Sequence, residues 1–214
     1  AQRADLNGIV LPGLVNAHAH LELGGREADI RERGLRGRLR AIRDLRKETE
    51  DLDPDSREAR IRSAVRQSVA AGTAGVGEVT DSLRAVRSMS REGLYGVVFH
   101  EISGSSKRKA AKALAAAAVQ RAGIVPWPDG IRYHLAPHSL YSTAGAVVRE
   151  LLTLALEAGA TTAMRLAEAE DELRELGGDA ARAVVDAMGT LLDEYRPTGP
   201  DPLAYLESLG GLHD

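Results

Sequence analysis

Two histidines spaced two residues apart, His18 and His20, are well suited by type and spacing to hold a metal ion. Imidazole nitrogens are common ligands of zinc and other divalent ions. On a β-strand, residues two apart point to the same side, so both rings could grip one ion as a clip. A surface-facing pair or a chance recurrence would give the same spacing. The apolar stretch 11–16 directly before the pair places it at a buried strand end, which favours the metal site.

Two further residues could do chemistry, His138 and Glu168, because each follows a predicted strand. Side chains at the carboxyl ends of parallel strands gather at one end of a β/α barrel, so we expect both to lie near the histidine pair. Each also has a plainer explanation. His138 could be a loop histidine beside Pro137, and Glu168 could be a carboxylate favoured by the dipole at a helix N-terminus.

The elements that must position these residues alternate between strand and helix, which predicts an α/β fold. Strands are predicted at 13–18, 73–79, 93–99, 131–136 and 161–166. Helices are predicted between the strands. The first is indicated by an apolar stripe of Leu35, Leu39, Ile42 and Leu45, and others are predicted at 54–71, 81–91 and 107–121. A further helix is capped by Ser142 or Thr143 and ended by Gly159, and two or three more follow the fifth strand. Five such units predict part of an eight-unit TIM-type barrel, with a complete five-stranded doubly wound sheet as the alternative.

The composition excludes several classes of protein. A net charge of -3 provides no basic face for nucleic acid. Cysteine is absent, so any metal must be held by histidines and carboxylates. The longest apolar run, 113–119, is too short to span a bilayer, and the first residues lack an apolar signal core. We therefore expect a cytoplasmic protein with a small-molecule substrate and no nucleic-acid or membrane partner; a homodimer is a further prediction.

The segment 11–22, Leu-Pro-Gly-Leu-Val-Asn-Ala-His-Ala-His-Leu-Glu, resembles the first-strand signature of the amidohydrolase superfamily. It is similar in particular to the aminohydrolase branch, which includes S-adenosylhomocysteine and methylthioadenosine deaminases, guanine deaminase, chlorohydrolases and aminodeoxyfutalosine deaminase. Later segments resemble further motifs of the same family: 71–78, 135–142, 166–172 and 202–210.

The resemblance implies a metal-dependent hydrolase that cleaves a carbon–nitrogen bond, deaminating a purine-like or other nitrogen heterocycle. Dechlorination or amide cleavage on the same scaffold is the alternative reaction. One divalent ion, usually zinc, would be held in part by His18 and His20 and would activate a water. Glu168 would shuttle the proton, and His138 would polarise or orient the substrate. It also implies that residues 1–12 are the remnant of a flanking β-sandwich and that 13–214 form an incomplete barrel.

Arg165 departs from the family pattern. The family has a metal-ligating histidine at this position, three residues before the catalytic glutamate. A guanidinium has no lone pair to donate, remains charged and would repel a nearby cation. The remaining family ligands, a histidine and an aspartate, would lie beyond Asp214. Since catalytic zinc normally needs three protein ligands, we expect this chain alone to be inactive.

Three explanations remain open for this departure. The chain could be a fragment of a longer enzyme, or the product of a truncated and decayed gene. It could also be a barrel relative that binds a small molecule without catalysis, with Arg165 gripping an anionic group where the metal would lie.

Overall fold

Four parallel strands form one sheet in the structure, a computed structural model that describes residues 7–26, 30–32, 34–104, 106–167 and 201–211. The strands are β1 (Leu14–Ala19), β2 (Thr73–Thr80), β3 (Tyr95–Ile102) and β4 (Ile131–Pro137). They lie side by side in chain order, and each neighbouring pair is parallel. A doubly wound sheet reverses its strand order at a switch point, so this sequential order favours the barrel over the alternative.

Helices connect the strands as the sequence predicts. A short 3-10 helix (Leu21–Leu23) follows β1, and the α-helices are α1 (Leu35–Glu50), α2 (Pro54–Ala70), α3 (Val86–Arg91), α4 (Lys107–Ala122), α5 (Gly145–Glu157) and α6 (Pro202–Ser208). No helix in the described ranges is long and apolar enough to cross a membrane.

Local sequence explains both ends of α2. The Asp53 side chain accepts hydrogen bonds from the backbone N–H groups of Asp55 (3.1 Å) and Ser56 (3.0 Å). Pro54 takes the first helical position, where a backbone donor is not needed. At the other end Gly72 adopts a φ of +89°, which a residue without a Cβ accommodates at little cost.

The two faces of the sheet carry different apolar clusters. Side chains of successive strand residues point to opposite sides, so Val98 and Phe99 of β3 belong to separate clusters. On the helix-covered side, Val98 packs with Ile61 and Val65 of α2. On the other side, Phe99 packs with residues of β2 and β4, namely Val79 and Ala136. This second face is the one that leads to the polar residues at the strand ends.

Gly77 allows β1 and β2 to approach closely below the histidine pair. A Cβ at this position would lie 2.2 Å from the carbonyl oxygen of Ala17, much closer than non-bonded atoms tolerate. Any larger residue would therefore push β1, and the histidines at its carboxyl end, away from β2.

The regular fifth strand predicted at 161–166 is not formed. Arg165 makes a single isolated parallel bridge with Ser139, and its N–H donates to the carbonyl oxygen of His138 at 3.2 Å. The segment therefore runs beside the end of β4 without a continuous ladder. It still brings Arg165 to the carboxyl end of the sheet.

The predicted caps of α5, Ser142 and Thr143, are wrong because their hydroxyls have other partners. The helix begins at Gly145 without a side-chain cap. Ser142 Oγ lies 2.7 Å from His138 Nδ1, and Thr143 Oγ1 donates to the carbonyl oxygen of Ile102 at 3.3 Å. The predicted end at Gly159 is confirmed by its φ of +57°, just after the helix.

The helix predicted for 81–91 is regular only from Val86. Before it, Thr80 Oγ1 accepts from the N–H groups of Ser82 (3.1 Å) and Leu83 (3.3 Å) and holds a turn in place of the first helical turn.

The proposed domain boundary at residue 12 remains a prediction; the residues just before β1, 7–13, form neither helix nor strand.

Candidate active site

His18 and His20 face each other at the carboxyl end of β1. Their Nε2 atoms lie 3.3 Å apart. The Nδ1–H of His20 donates to the carbonyl oxygen of Val79 at 2.7 Å, which fixes the tautomer and leaves the lone pair on Nε2. Two nitrogens bound at about 2.0–2.1 Å to one tetrahedral zinc lie about 3.3 Å apart. The spacing would therefore suit two ligands of one ion, and their role as metal ligands stays a prediction.

A cavity of about 670 Å³ opens beside this pair. It is large enough for a drug-sized ligand. Polar side chains of its lining come from β1, α1, α2 and the segments beside them: Asn16, His18, His20, Glu32, Arg38, Gln67, Ser68 and, after α5, Arg165. A smaller pocket of about 240 Å³, lined in part by Phe99, Glu101 and Arg165, shares His18 and Arg165 with it.

Arg165 contacts the histidine pair directly. Its Nη2 donates to His20 Nε2 at 2.9 Å. Its Nε and Nη2 also donate to the two carboxylate oxygens of Glu101, at 3.1 and 3.4 Å. The side chains of Arg165 and Glu101 are only 8% and 4% exposed. The guanidinium is thus held between a carboxylate and the one available lone pair of His20.

Burial sets the protonation of this cluster. Burial, and after it the positive charge of Arg165, lower the pKa of His20 to about 3, so the ring is neutral at physiological pH. Burial also raises the pKa of Glu101 to about 7, while the charges of Arg165 and Arg46 act in the opposite direction. A neutral His20 is the form that accepts a hydrogen bond or binds a metal.

His138 lies at the end of β4, one backbone hydrogen bond from Arg165. Its Nδ1 is 2.7 Å from Ser142 Oγ and 3.1 Å from Ser139 Oγ, and its ring meets that of Tyr141 edge to face at 5.8 Å. Burial, followed by the charge of Arg165, lowers the pKa of His138 well below its usual range. The ring is therefore neutral and held in one orientation.

A second polar network joins the loops after β1 and β2. The buried carboxylate of Glu22 accepts hydrogen bonds from the hydroxyls of Thr80 and Ser82. Arg46 donates to Asp81 at 2.9 Å and approaches Glu22 at 3.8 Å. This network ties the loop that carries His20 to the end of β2.

Residues 9–195 match the model of the amidohydrolase family. The chain belongs to the amidohydrolase family. A comparison with curated proteins finds no match.

Solved structures show the same fold at low identity. Aminofutalosine deaminase from Helicobacter pylori, in complex with methylthio-coformycin, is 19% identical with a TM-score of 0.68 over 87% of this chain and 45% of its own. Guanine deaminase from C. acetobutylicum with bound guanine is 13% identical, with a TM-score of 0.65 over 93% and 46%. Atrazine chlorohydrolase from Arthrobacter aurescens, complexed with zinc, is 15% identical, with a TM-score of 0.62 over 94% and 46%. This amidohydrolase chain thus spans less than half the length of these proteins. Its fold corresponds to part of theirs.

The residues of this amidohydrolase chain do not complete a zinc site in the described part. His18 and His20 supply two ligands at suitable spacing, but no group of three metal-ligating side chains is found among the described residues. Arg165 lies where a third ligand would be expected and donates to the lone pair of His20. Glu168, the predicted acid/base, lies outside the described residues. The described arrangement therefore does not fit a catalytic zinc ion.

Glu101 is the site residue that the sequence did not single out for a role. The third strand was predicted to end at Phe99, whereas β3 continues to Ile102. This extension places Glu101 on the same face as Phe99, and both line the smaller pocket. If the predicted strand had been extended by two residues, the alternation of its side chains would have placed Glu101 on the inward face. It would not have identified Arg165 as the partner of Glu101.

Proposed function

We propose that this protein has the scaffold and substrate class of a carbon–nitrogen hydrolase that acts on a purine-like or other nitrogen heterocycle, and that the chain in its present sequence binds such a ligand without turning it over. Family membership supports the reaction class. The observation that carries the proposal is the meeting of the His18–His20 pair with one buried guanidinium beside a ligand-sized cavity, with His138 one backbone hydrogen bond from Arg165.

His138 is the residue we propose to orient the ligand. Its ring is neutral and its Nδ1 is engaged by serine hydroxyls, so its orientation is fixed before a ligand arrives. A preorganised polar group of this kind gives specificity at low entropic cost. Glu168 remains the proposed acid/base on the ground of the family resemblance.

The absence of turnover follows from Arg165. Hydrolysis in this family type requires an activated water, which a metal would supply by lowering the pKa of the water. The described residues hold an arginine against His20 instead. Deamination is the proposed reaction of the scaffold, with amide cleavage or dechlorination as the alternative.

A purely anion-binding role for Arg165 has less support. Both Nε and Nη2 already donate to Glu101, so the charge of the guanidinium is largely offset before any ligand enters. An anionic ligand would have to compete with this carboxylate. The geometry favours a neutral heterocycle over an anion.

The cytoplasmic location and a homodimer remain predictions.

Calorimetric titration of the purified 214-residue chain with adenosine and guanine, beside an assay for released ammonia, tests this proposal. We expect binding of at least one purine and no ammonia. His138→Asn should weaken binding about tenfold, the equivalent of about one hydrogen bond. Arg149→Ala, on the exposed side of α5, is the matched control and should bind normally. Failure to bind either purine would contradict the substrate class, and ammonia release by the wild-type chain would contradict the absence of turnover.

A further inference from the structure

We infer that Arg165 takes the place of a metal ion as the cation of this site, so that the centre is a metal-free bridge joining His20 and Glu101 through a guanidinium. The inference depends on the proposed function only in treating this cavity as the ligand site. It concerns the described residues themselves, and its test needs no substrate.

The imidazole of His20 has one lone pair to offer a cation. Because Nδ1–H donates to Val79, Nε2 is the ring atom that could bind a metal. Arg165 Nη2 donates to this atom at 2.9 Å. One nitrogen lone pair cannot serve a guanidinium and a zinc ion together. An ion could bind His20 only after this hydrogen bond breaks.

The side chain of Arg165 is held in place by its contacts with Glu101. Its side chain and that of Glu101 are 8% and 4% exposed, and two guanidinium nitrogens hold the carboxylate. Its backbone is also bonded to His138. If the side chain swung away to admit an ion, Glu101 would lose its counter-charge in a buried position, which is unfavourable. The guanidinium is therefore built into the site and is not a loose surface group lying over it.

The charge of Arg165 also opposes a metal ion at this position. A guanidinium stays protonated at any working pH, so an ion placed between His18 and His20 would lie against a fixed positive charge. Glu101 offsets at most one unit of charge and is already used by Arg165. The two histidines alone offer fewer ligands than catalytic zinc normally takes. The occupied lone pair, the buried ion pair and the fixed charge all disfavour a metal ion between His18 and His20.

Zinc binding by the full chain and four variants tests the inference. Wild-type protein, incubated with zinc and passed through gel filtration, should retain no stoichiometric metal. Arg165→His supplies a third imidazole, and should retain about one zinc per chain. Loss of an outer-shell partner alone costs 10–100-fold in affinity, so a new direct ligand should tighten zinc binding at least about 100-fold.

Three control variants locate the effect. The double variant His18→Ala with Arg165→His should lose the gained zinc, because it removes one of the three histidines. Arg149→His adds a histidine on the exposed side of α5 and should gain nothing. His18→Ala alone should behave as the wild type does, with no zinc to lose. If Arg165→His folds and retains no more zinc than Arg149→His, the inference fails.

A wild-type measurement keeps the test independent of how well the variants fold. The imidazole NMR resonances of His18 and His20 should not move when one equivalent of zinc is added. Shifts of both rings at that ratio, or zinc retained by wild type and lost in His18→Ala, would overturn the inference. Purine binding is measured without zinc, so its failure would contradict the proposed function and leave the zinc result standing.

Discussion

Two arginines meet carboxylates at the strand ends, and their surroundings differ. Arg46 pairs with Asp81, and their side chains are 29% and 51% exposed. Arg165 pairs with Glu101, and theirs are 8% and 4% exposed. The first pair joins α1 to the loop after β2, where water reaches the half-exposed carboxylate of Asp81. The second pair is buried in the site, and its guanidinium also donates to His20, a potential metal ligand. We therefore expect loss of the Arg46–Asp81 pair to change little and loss of the Arg165–Glu101 pair to disturb the residues around it.

Neutralising the acidic partner in each pair should give the largest difference. At about pH 9, above the Glu101 pKa of about 7, Glu101→Gln leaves the buried guanidinium of Arg165 without a counter-charge, which should lower the free energy of unfolding by about 3–5 kcal/mol. Asp81→Asn, the matched change in the exposed pair, should cost less than about 1 kcal/mol. Urea denaturation of both variants measures the two values. Equal losses would show that burial does not distinguish the pairs.

Salt should separate the pairs by a smaller amount. A double-mutant cycle between Arg46 and Asp81 should give about 0.2–1 kcal/mol at low ionic strength and close to zero at 1 M salt, where screening is strong. The same cycle between Arg165 and Glu101 should change little, because the solvent ions cannot come between the partners. A coupling energy for the buried pair that falls in parallel with the exposed one would contradict its isolation from solvent.

His138 should sense the two arginines unequally, and this is the smallest effect. Burial lowers its pKa first, then the charge of Arg165, then that of Arg46. A lowered folded-state pKa gives stability that is present above the unfolded value of 6.5 and is lost as the pH falls below it. Arg165→Met should raise the pKa of His138 more than Arg46→Met does, and should reduce the loss of stability on acidification. NMR titration of the His138 ring checks the order; a larger shift in Arg46→Met would reverse it.

Local patterns were enough to predict most of the fold. The four strands and α2 follow from apolar runs, a proline at the first helical turn and a glycine after the last, all of which act over a few residues. The shared side of His18 and His20 follows from the two-residue period of a strand. Their spacing of 3.3 Å is consistent with that prediction.

Features that depend on distant partners could not be predicted. Ser142 reads as a helix cap, yet its hydroxyl bonds His138 because the loop after β4 folds back on itself. The family pattern marks Arg165 as out of place, but its partner Glu101 lies 64 residues earlier and meets it only through the packing of the strand ends. The segment around Arg165 reads as a strand by its residues and makes only one bridge.

The most direct test of the account is a crystal structure of the wild-type chain grown with excess zinc, with anomalous data collected at the zinc edge. We expect no anomalous peak between His18 and His20, and Arg165 Nη2 within hydrogen-bonding distance of His20 Nε2. A peak at about 2.0–2.1 Å from both Nε2 atoms, with Arg165 displaced, would contradict the claim that the arginine stands in place of the metal.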